Sequence, residues 1–372
     1  MHFDIKPPKH GGDLKKWSRK TNGAAKTWLD LSSACNREPW PIPEIPMQEW
    51  HELPDQDALY HAAQEYFHLK PIAIGSGSQQ FIEALPTFFS ANASIESNAQ
   101  KVVKVPLIGY QEHAFAWKKW GFRVESYRTV EELIDSTWFA AVIINPNNPT
   151  GECLSSDVLS QLLSQVLSQI EKREEDSSSS DVSDECHLII DEAFMDATPE
   201  QSLLFTQAEQ IERSNVWVMR SVGKFFGLPG ARIGFLFAAE KYANSINNLI
   251  GPWPVSTPAL YLVEQALKDI KWQESARASL VKRHDYFWQI IRPKLNTVFD
   301  SQSITANALF YTWQLESQQD AERAFDWLQS VGVHVRQGES WIRVALPALS
   351  EMDRLDKSLI RLIRGEGGKD LS

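Results

Sequence analysis

Between about residues 70 and 240 the chain alternates short apolar runs with longer amphipathic stretches. AAVIIN (140–145), HLIID (His187–Asp191) and NVWVM (215–219) are almost continuously apolar. A strand with one wet face alternates apolar and polar positions, so unbroken runs predict strands of a parallel sheet covered on both faces. LSSDVLSQLLSQVLSQI lies between two of them and has a helical period, with Ser155 or Ser156 placed to cap its start. The alternation predicts an α/β fold with helical crossovers.

Two further stretches set the expected domain organisation. EKREEDSSSSDVSDE (171–185) is acidic and serine-rich and has too little apolar surface to offset ordering, so it reads as a mobile insertion between a helix and a strand. After GPWPVSTPA (251–259) a helical pattern runs over about 260–295. SITANALFYTWQL and HVRQGESWIRVALP then read as strands around another helix. The expected division is an N-terminal segment over 1–40, a large domain over 41–259 and a small α+β domain over 260–372.

Composition narrows the function classes. The 372 residues carry 48 acidic and 37 basic side chains, a net charge of −11. That disfavours a nucleic-acid partner, which binds through a basic surface that displaces counterions. A locally positive pocket for an anionic substrate is still compatible with it. Cys35, Cys153 and Cys186 are widely spaced, so neither a disulfide framework nor a zinc site is expected. The first residues lack the apolar core of a signal peptide, and no stretch approaches the roughly 20 apolar residues that span a bilayer. A cytoplasmic protein is the expectation.

In an open parallel sheet, ligands sit beyond the carboxyl ends of the strands. NPNNPTG presents Asn148 there, DEAFMD presents Asp191, and SVGKFFGLPGARIGF presents Ser221, Lys224 and Arg232. An amide, a carboxylate and a lysine on successive strand ends are what a pyridoxal cofactor requires. The lysine amine can hold the cofactor aldehyde covalently. An anionic Asp191 can keep the pyridine nitrogen protonated, so that the ring accepts electrons from a breaking bond. Asn148 can donate to the cofactor phenolate, while Ser221 and Arg232 suit its phosphate. GSGSQQFIEALP (75–86) is a glycine-rich turn opening a helix, and Ser76, Gly77 and Ser78 offer free backbone N–H groups to that phosphate. The turn lacks dinucleotide-binding spacing, and taken singly each motif has a plainer structural reading.

These motifs resemble the aspartate-aminotransferase superfamily, the fold type I pyridoxal-phosphate enzymes, over nearly the whole chain. The resemblance implies a mainly parallel seven-stranded sheet with a smaller α+β domain, pyridoxal 5'-phosphate as cofactor, and a homodimer. It places Tyr110 over the pyridine ring and Arg343, in WIRVALP, on the substrate carboxylate, which a guanidinium meets with two parallel hydrogen bonds. HGGDLKKW, WLDLSSACN, GPWPVSTPA and WIRVALP are similar to the threonine-phosphate decarboxylases of cobalamin biosynthesis, relatives of histidinol-phosphate aminotransferase. By that resemblance the N-terminal segment covers the active site, and His10, Gly11, Gly12 and Arg336 hold the substrate phosphate. Three positions depart from the broader pattern: Phe194 replaces a tyrosine, Leu53 replaces the tyrosine that reaches a neighbouring subunit, and His113 stands where many relatives carry an aromatic.

The reaction implied is decarboxylation of L-threonine O-3-phosphate to (R)-1-amino-2-propanol phosphate. A histidinol-phosphate or other amino-acid aminotransferase is the alternative, because the bond that breaks is the one held perpendicular to the ring. A ligand sensor on the same fold and a nucleotide-dependent oxidoreductase are more remote. The first would be expected to add a basic DNA-binding segment, and the second conflicts with the glycine spacing.

Overall fold

The computed structural model describes residues 6–8, 14, 28–91, 95–175 and 186–365, which divide into two compact units. The first comprises 40–148 and 153–270 with 6–8; the second comprises 28–39, 149–152 and 271–365 with residue 14.

The first unit is built on seven strands: β1 (Ala73–Gly75), β2 (Val102–Pro106), β3 (Arg123–Tyr127), β4 (Ala140–Ile144), β5 (His187–Asp191), β6 (Val216–Ser221) and β7 (Gly234–Phe237). Their order across the sheet is β1-β7-β6-β5-β4-β2-β3. Only β7 runs antiparallel to its neighbours, so the sheet is mainly parallel, as expected. Every residue of β4 and β5 is buried, which is why these runs show no alternation. Helices α1 (Ser78–Ser90), α2 (Glu112–Lys119) and α3 (Ser156–Glu175) supply part of the cover. Phe81, Trp117 and Trp217 are among its largest fully buried side chains, each contributing on the order of 2–3 kcal/mol through area removed from water.

The order of the sheet positions the site. From β2 the chain moves outward to β3, then returns to the other side of β2 as β4 and proceeds through β5 to β6. The reversal between β2 and β4 opens a crevice at the strands' carboxyl ends. Segments leaving β1, β2, β4, β5 and β6 all emerge at that end.

In the second unit, β8 (Ser301–Asn307), β9 (Phe310–Leu315), β10 (Arg336–Gln337) and β11 (Trp341–Ala345) form an antiparallel sheet in the order β10-β11-β9-β8. Helices α4 (Gln318–Ser330) and α5 (Leu349–Ile363) belong to the same unit. Leu29–Asp30 pairs in parallel with Val333–His334, anchoring residues 28–39 to this unit.

Two sequence expectations need correction. Residues 171–175, assigned to the insertion, are the last turn of α3. Glu, Lys and Arg are good helix formers, so the helix extends into this acidic stretch; residues 176–185 lie outside the described ones. The helical pattern over 260–295 is not continuous either. Asp269 leaves helical geometry (φ −84°, ψ 72°) between helices Thr257–Lys268 and Ile270–Tyr286. Its carboxylate accepts the indole N–H of Trp40 at 3.1 Å, a tertiary bond that periodicity cannot reveal.

Candidate active site

Asp191 is the last residue of β5 and is 4% exposed. Its Oδ1 accepts the Ala193 backbone N–H at 3.0 Å, and its Oδ2 lies 3.1 Å from His113 Nε2. A carboxylate only accepts, so His113 carries its proton on Nε2 in this contact. His113 is 2% exposed and stands at the start of α2, one helical turn beyond Tyr110. The two rings are edge to face, with centroids 6.3 Å apart. Sequence reading gave His113 no role here. The signal available was its place three residues after Tyr110, just inside a helix start.

Lys224 lies in the turn after β6, half-buried, with its Nζ 5.3 Å from the centroid of the Phe194 ring. An apolar ring beside an ammonium leaves the amine fewer water contacts than a surface lysine has. The turn is held by the Gly227 N–H donating to the Lys224 carbonyl at 3.3 Å.

Below this rim a buried ion-pair network fixes both strand ends. Arg220 is fully buried; its Nη1 donates to Glu192 Oε2 at 2.8 Å and its Nη2 to Asp196 Oδ1 at 2.6 Å. Ser202 Oγ donates to the same Glu192 oxygen at 2.5 Å. Burial opposes the guanidinium's charge, but the Asp196 and Glu192 carboxylates outweigh it and hold its pKa above the ordinary value. Arg220 precedes Ser221 and Glu192 follows Asp191, so the network clamps the residues next to the polar groups of the site.

The glycine-rich turn builds a separate corner. Gly234 of β7 is in register with Gly75 of β1 on one side and with Ser221 of β6 on the other. That row brings Ser221 toward the start of α1. A Cβ at Gly234 would meet the Ser78 nitrogen at 2.5 Å and the Gly77 carbonyl carbon at 2.6 Å, so only glycine fits. Gly77 has φ +73°, and a Cβ there would meet Arg232 Nη2 at 2.8 Å. The expectation of free N–H groups is corrected at two positions: the Ser76 N–H donates to Gln80 Oε1 at 2.6 Å and the Gly77 N–H to the Gly75 carbonyl at 2.8 Å, while no side chain caps the start of α1 at Ser78. Its N–H groups, its positive dipole end, Arg232 and Ser221 thus form a cradle whose donor set fits a phosphate. With Asp191 and Lys224 on neighbouring strand ends, the residues present fit pyridoxal phosphate.

NPNNPTG is divided between the two units. Asn148 is half-buried beyond β4 in the first, where Asn145 Oδ1 accepts the Leu154 N–H at 2.9 Å. Pro149 and Thr150 belong to the second unit, where Thr312 Oγ1 donates to the Pro149 carbonyl at 2.5 Å and Thr305 Oγ1 donates to the Thr150 carbonyl. Gly151 has φ +81°, and a Cβ there would meet the Ala306 backbone at 2.7 Å.

In the second unit, Arg336 of β10 is directly opposite Arg343 of β11. Arg343 is 7% exposed, and its Nη2 donates to the Ser32 carbonyl at 2.7 Å. Burial, reinforced by the Arg336 charge, pulls the Arg343 guanidinium down to about 9. Two cations held side by side suit a ligand with two anionic groups. His10, Gly11 and Gly12 lie outside the described residues. Leu53 is 69% exposed on the first unit, and Phe194 is buried beside Lys224.

Comparisons with known proteins agree with this geometry. Residues 179–360 match the family model described as aminotransferase class I and II. The threonine-phosphate decarboxylase of Pseudomonas aeruginosa is 32% identical over 286 residues, covering 76% of this chain and 78% of the relative. Histidinol-phosphate aminotransferase 1 of Mannheimia succiniciproducens is 27% identical over 357 residues, covering 90% of each chain. Among solved structures, the histidinol-phosphate aminotransferase of Sinorhizobium meliloti in complex with pyridoxal-5'-phosphate superposes with a TM-score of 0.72. It is 19% identical, with 99% of each chain covered, a likeness that shows the shared fold. The chain belongs to the class I and II aminotransferase family, has the fold type I architecture and uses pyridoxal phosphate.

Proposed function

We propose that this member of the family decarboxylates L-threonine O-3-phosphate to (R)-1-amino-2-propanol phosphate, the reaction that its resemblance implies for cobalamin biosynthesis. The observation that carries the reading is the register pair Arg336 and Arg343, two adjacent guanidiniums for a substrate bearing both a phosphate and a carboxylate. The 32% identity to a threonine-phosphate decarboxylase supports the same choice.

Pyridoxal phosphate, when bound, supplies an aldehyde that takes up the substrate amine and a ring that accepts the electron pair left when a bond at Cα breaks. The chain's residues bind and orient. Ser78, Ser221 and Arg232 would hold the cofactor phosphate, and the Ser76 and Gly77 N–H groups would join them by exchanging their bonds to Gln80 and Gly75. Lys224 would anchor the aldehyde through its amine, and the same amine would hold a proton for Cα. Asp191, its second oxygen fixed by His113, keeps a proton at the ring nitrogen. Asn148 donates to the phenolate oxygen, and Tyr110 lies against the ring. Arg343 takes the substrate carboxylate and Arg336, with His10, Gly11 and Gly12, its phosphate. Where those groups hold the two anions decides which Cα bond stands perpendicular to the ring.

A second reading, an aminotransferase acting on histidinol phosphate or another amino acid, is favoured by the 27% identity to a histidinol-phosphate aminotransferase over 90% of each chain. The purified protein given threonine phosphate and no 2-oxo acid should release carbon dioxide. Product that forms only with a 2-oxo acid acceptor would replace the first reading with the second.

A further inference from the structure

The side chain of Gln79 joins two parts of the site that the reading above treats separately. Gln79 is the second residue of α1, two positions beyond Gly77 in the phosphate cradle. Its Nε2 donates to Glu112 Oε2 at 3.2 Å, and its Oε1 accepts the Tyr110 phenol at 3.1 Å. Glu112 is 6% exposed at the start of α2.

Chemistry fixes the polarity of this relay. The carboxylate of Glu112 has no proton to give, so the amide nitrogen of Gln79 must face it. The amide carbonyl then faces Tyr110, and the phenol must donate. Reversing the amide would set its oxygen against the carboxylate of Glu112, two acceptors with no proton between them. The Tyr110 hydroxyl is therefore tied to the helix whose start holds the phosphate, with Glu112 selecting the orientation of the tie.

We infer that Gln79 is a positioning residue: through the Tyr110 hydroxyl it sets the tilt of that ring against the cofactor, and Glu112 locks Gln79 in the donating and accepting sense required. The inference rests on the reading that Tyr110 lies against the pyridine ring. Phosphate and ring are then held by one connected frame, since the N–H groups that meet the phosphate and the amide that aims the phenol belong to the same helical turn.

The test is a double-mutant cycle of Gln79→Met and Tyr110→Phe, read as pyridoxal-phosphate affinity and as the visible circular dichroism of the bound cofactor. Each single variant should weaken affinity about five- to tenfold, the size expected for one lost hydrogen bond, and reduce the dichroic band. The double variant should be no worse than the weaker single one. Effects that multiply, or a lowered melting temperature with an unchanged dichroic band, would overturn the inference. Glu112→Gln keeps an acceptor for Gln79 and should bind like the parent, whereas Glu112→Leu should behave like Gln79→Met; loss of affinity in both alike would point to charge and remove the relay. Tyr110→Ala separates the levels. If it leaves affinity unchanged, the stacking reading itself fails; if it weakens binding while Gln79→Met does not, only the relay fails.

Discussion

His113 Nε2 meets Asp191 Oδ2 at 3.1 Å, joining two buried groups 78 residues apart in the chain. A helix start leaving β2 and a strand end of β5 make this contact across the intervening β4. The histidine proton engages Oδ2 while the Ala193 N–H engages Oδ1, so the carboxylate is held through both oxygens. Asp191→Asn should lower kcat by roughly 10²–10³-fold, as expected on losing a preorganised charge at the electron sink. His113→Phe keeps the carboxylate and removes only its tether, so a fall nearer tenfold is expected. Steady-state kinetics with matched cofactor loading checks the order; equal losses would mean that His113 does more than orient.

Lys224→Ala should abolish the visible absorbance that borohydride reduces and lower kcat by about 10³–10⁴-fold. Exogenous amines should restore part of the rate by replacing the lost proton carrier. A variant that retains a reducible lysine-linked spectrum would place the anchor elsewhere.

Gly234→Ala should be costly in two ways. The added methyl would press on the Ser78 nitrogen and the Gly77 backbone. Backbone does not yield as a flexible side chain does, so a loss of about 1–3 kcal/mol is expected in denaturant melts. Affinity for pyridoxal phosphate should also fall, because the displaced atoms belong to the cradle. Gly230→Ala is the control, since a Cβ there meets nothing within 4 Å.

Arg220→Met removes one partner of a buried network and leaves Glu192 and Asp196 facing each other without their cation. A destabilisation of about 3–5 kcal/mol is expected. Calorimetry should show the loss at neutral pH and a smaller one in acid, where protonation removes the stranded charges.

Arg343 carries a pH dependence whose sign follows from its depressed value of about 9. Burial and the neighbouring Arg336 charge make the folded protein release this proton more readily than the unfolded chain does, so above about pH 9 the unfolded state binds more protons and stability rises with pH. At neutral pH the buried charge therefore costs stability. Arg343→Met should raise stability by about 1–2 kcal/mol while weakening substrate binding, a trade expected of a functional site. Arg336→Ala should raise the KM for threonine phosphate far more than that for threonine; equal effects would remove Arg336 from the phosphate site.

The sequence alone determined the architecture of the first unit and which polar side chains its strand ends carry. Uninterrupted apolar runs mark strands buried on both faces, because burial is periodic or continuous along the chain itself. Asn148, Asp191, Ser221 and Lys224 were legible for the same reason: strand ends are local features, and parallel strands deliver their ends to one edge. Tertiary structure alone decided what reaches across. The contact of His113 with Asp191, the tie from Gln79 to Tyr110 and Glu112, and the clamp of Arg220 on Glu192 and Asp196 all join residues far apart in sequence. The break at Asp269 has the same origin, since the Trp40 indole that meets it is 229 residues away. Periodicity reports which face of an element is buried, and a hydrogen bond reports which element lies opposite; only the second requires the folded chain.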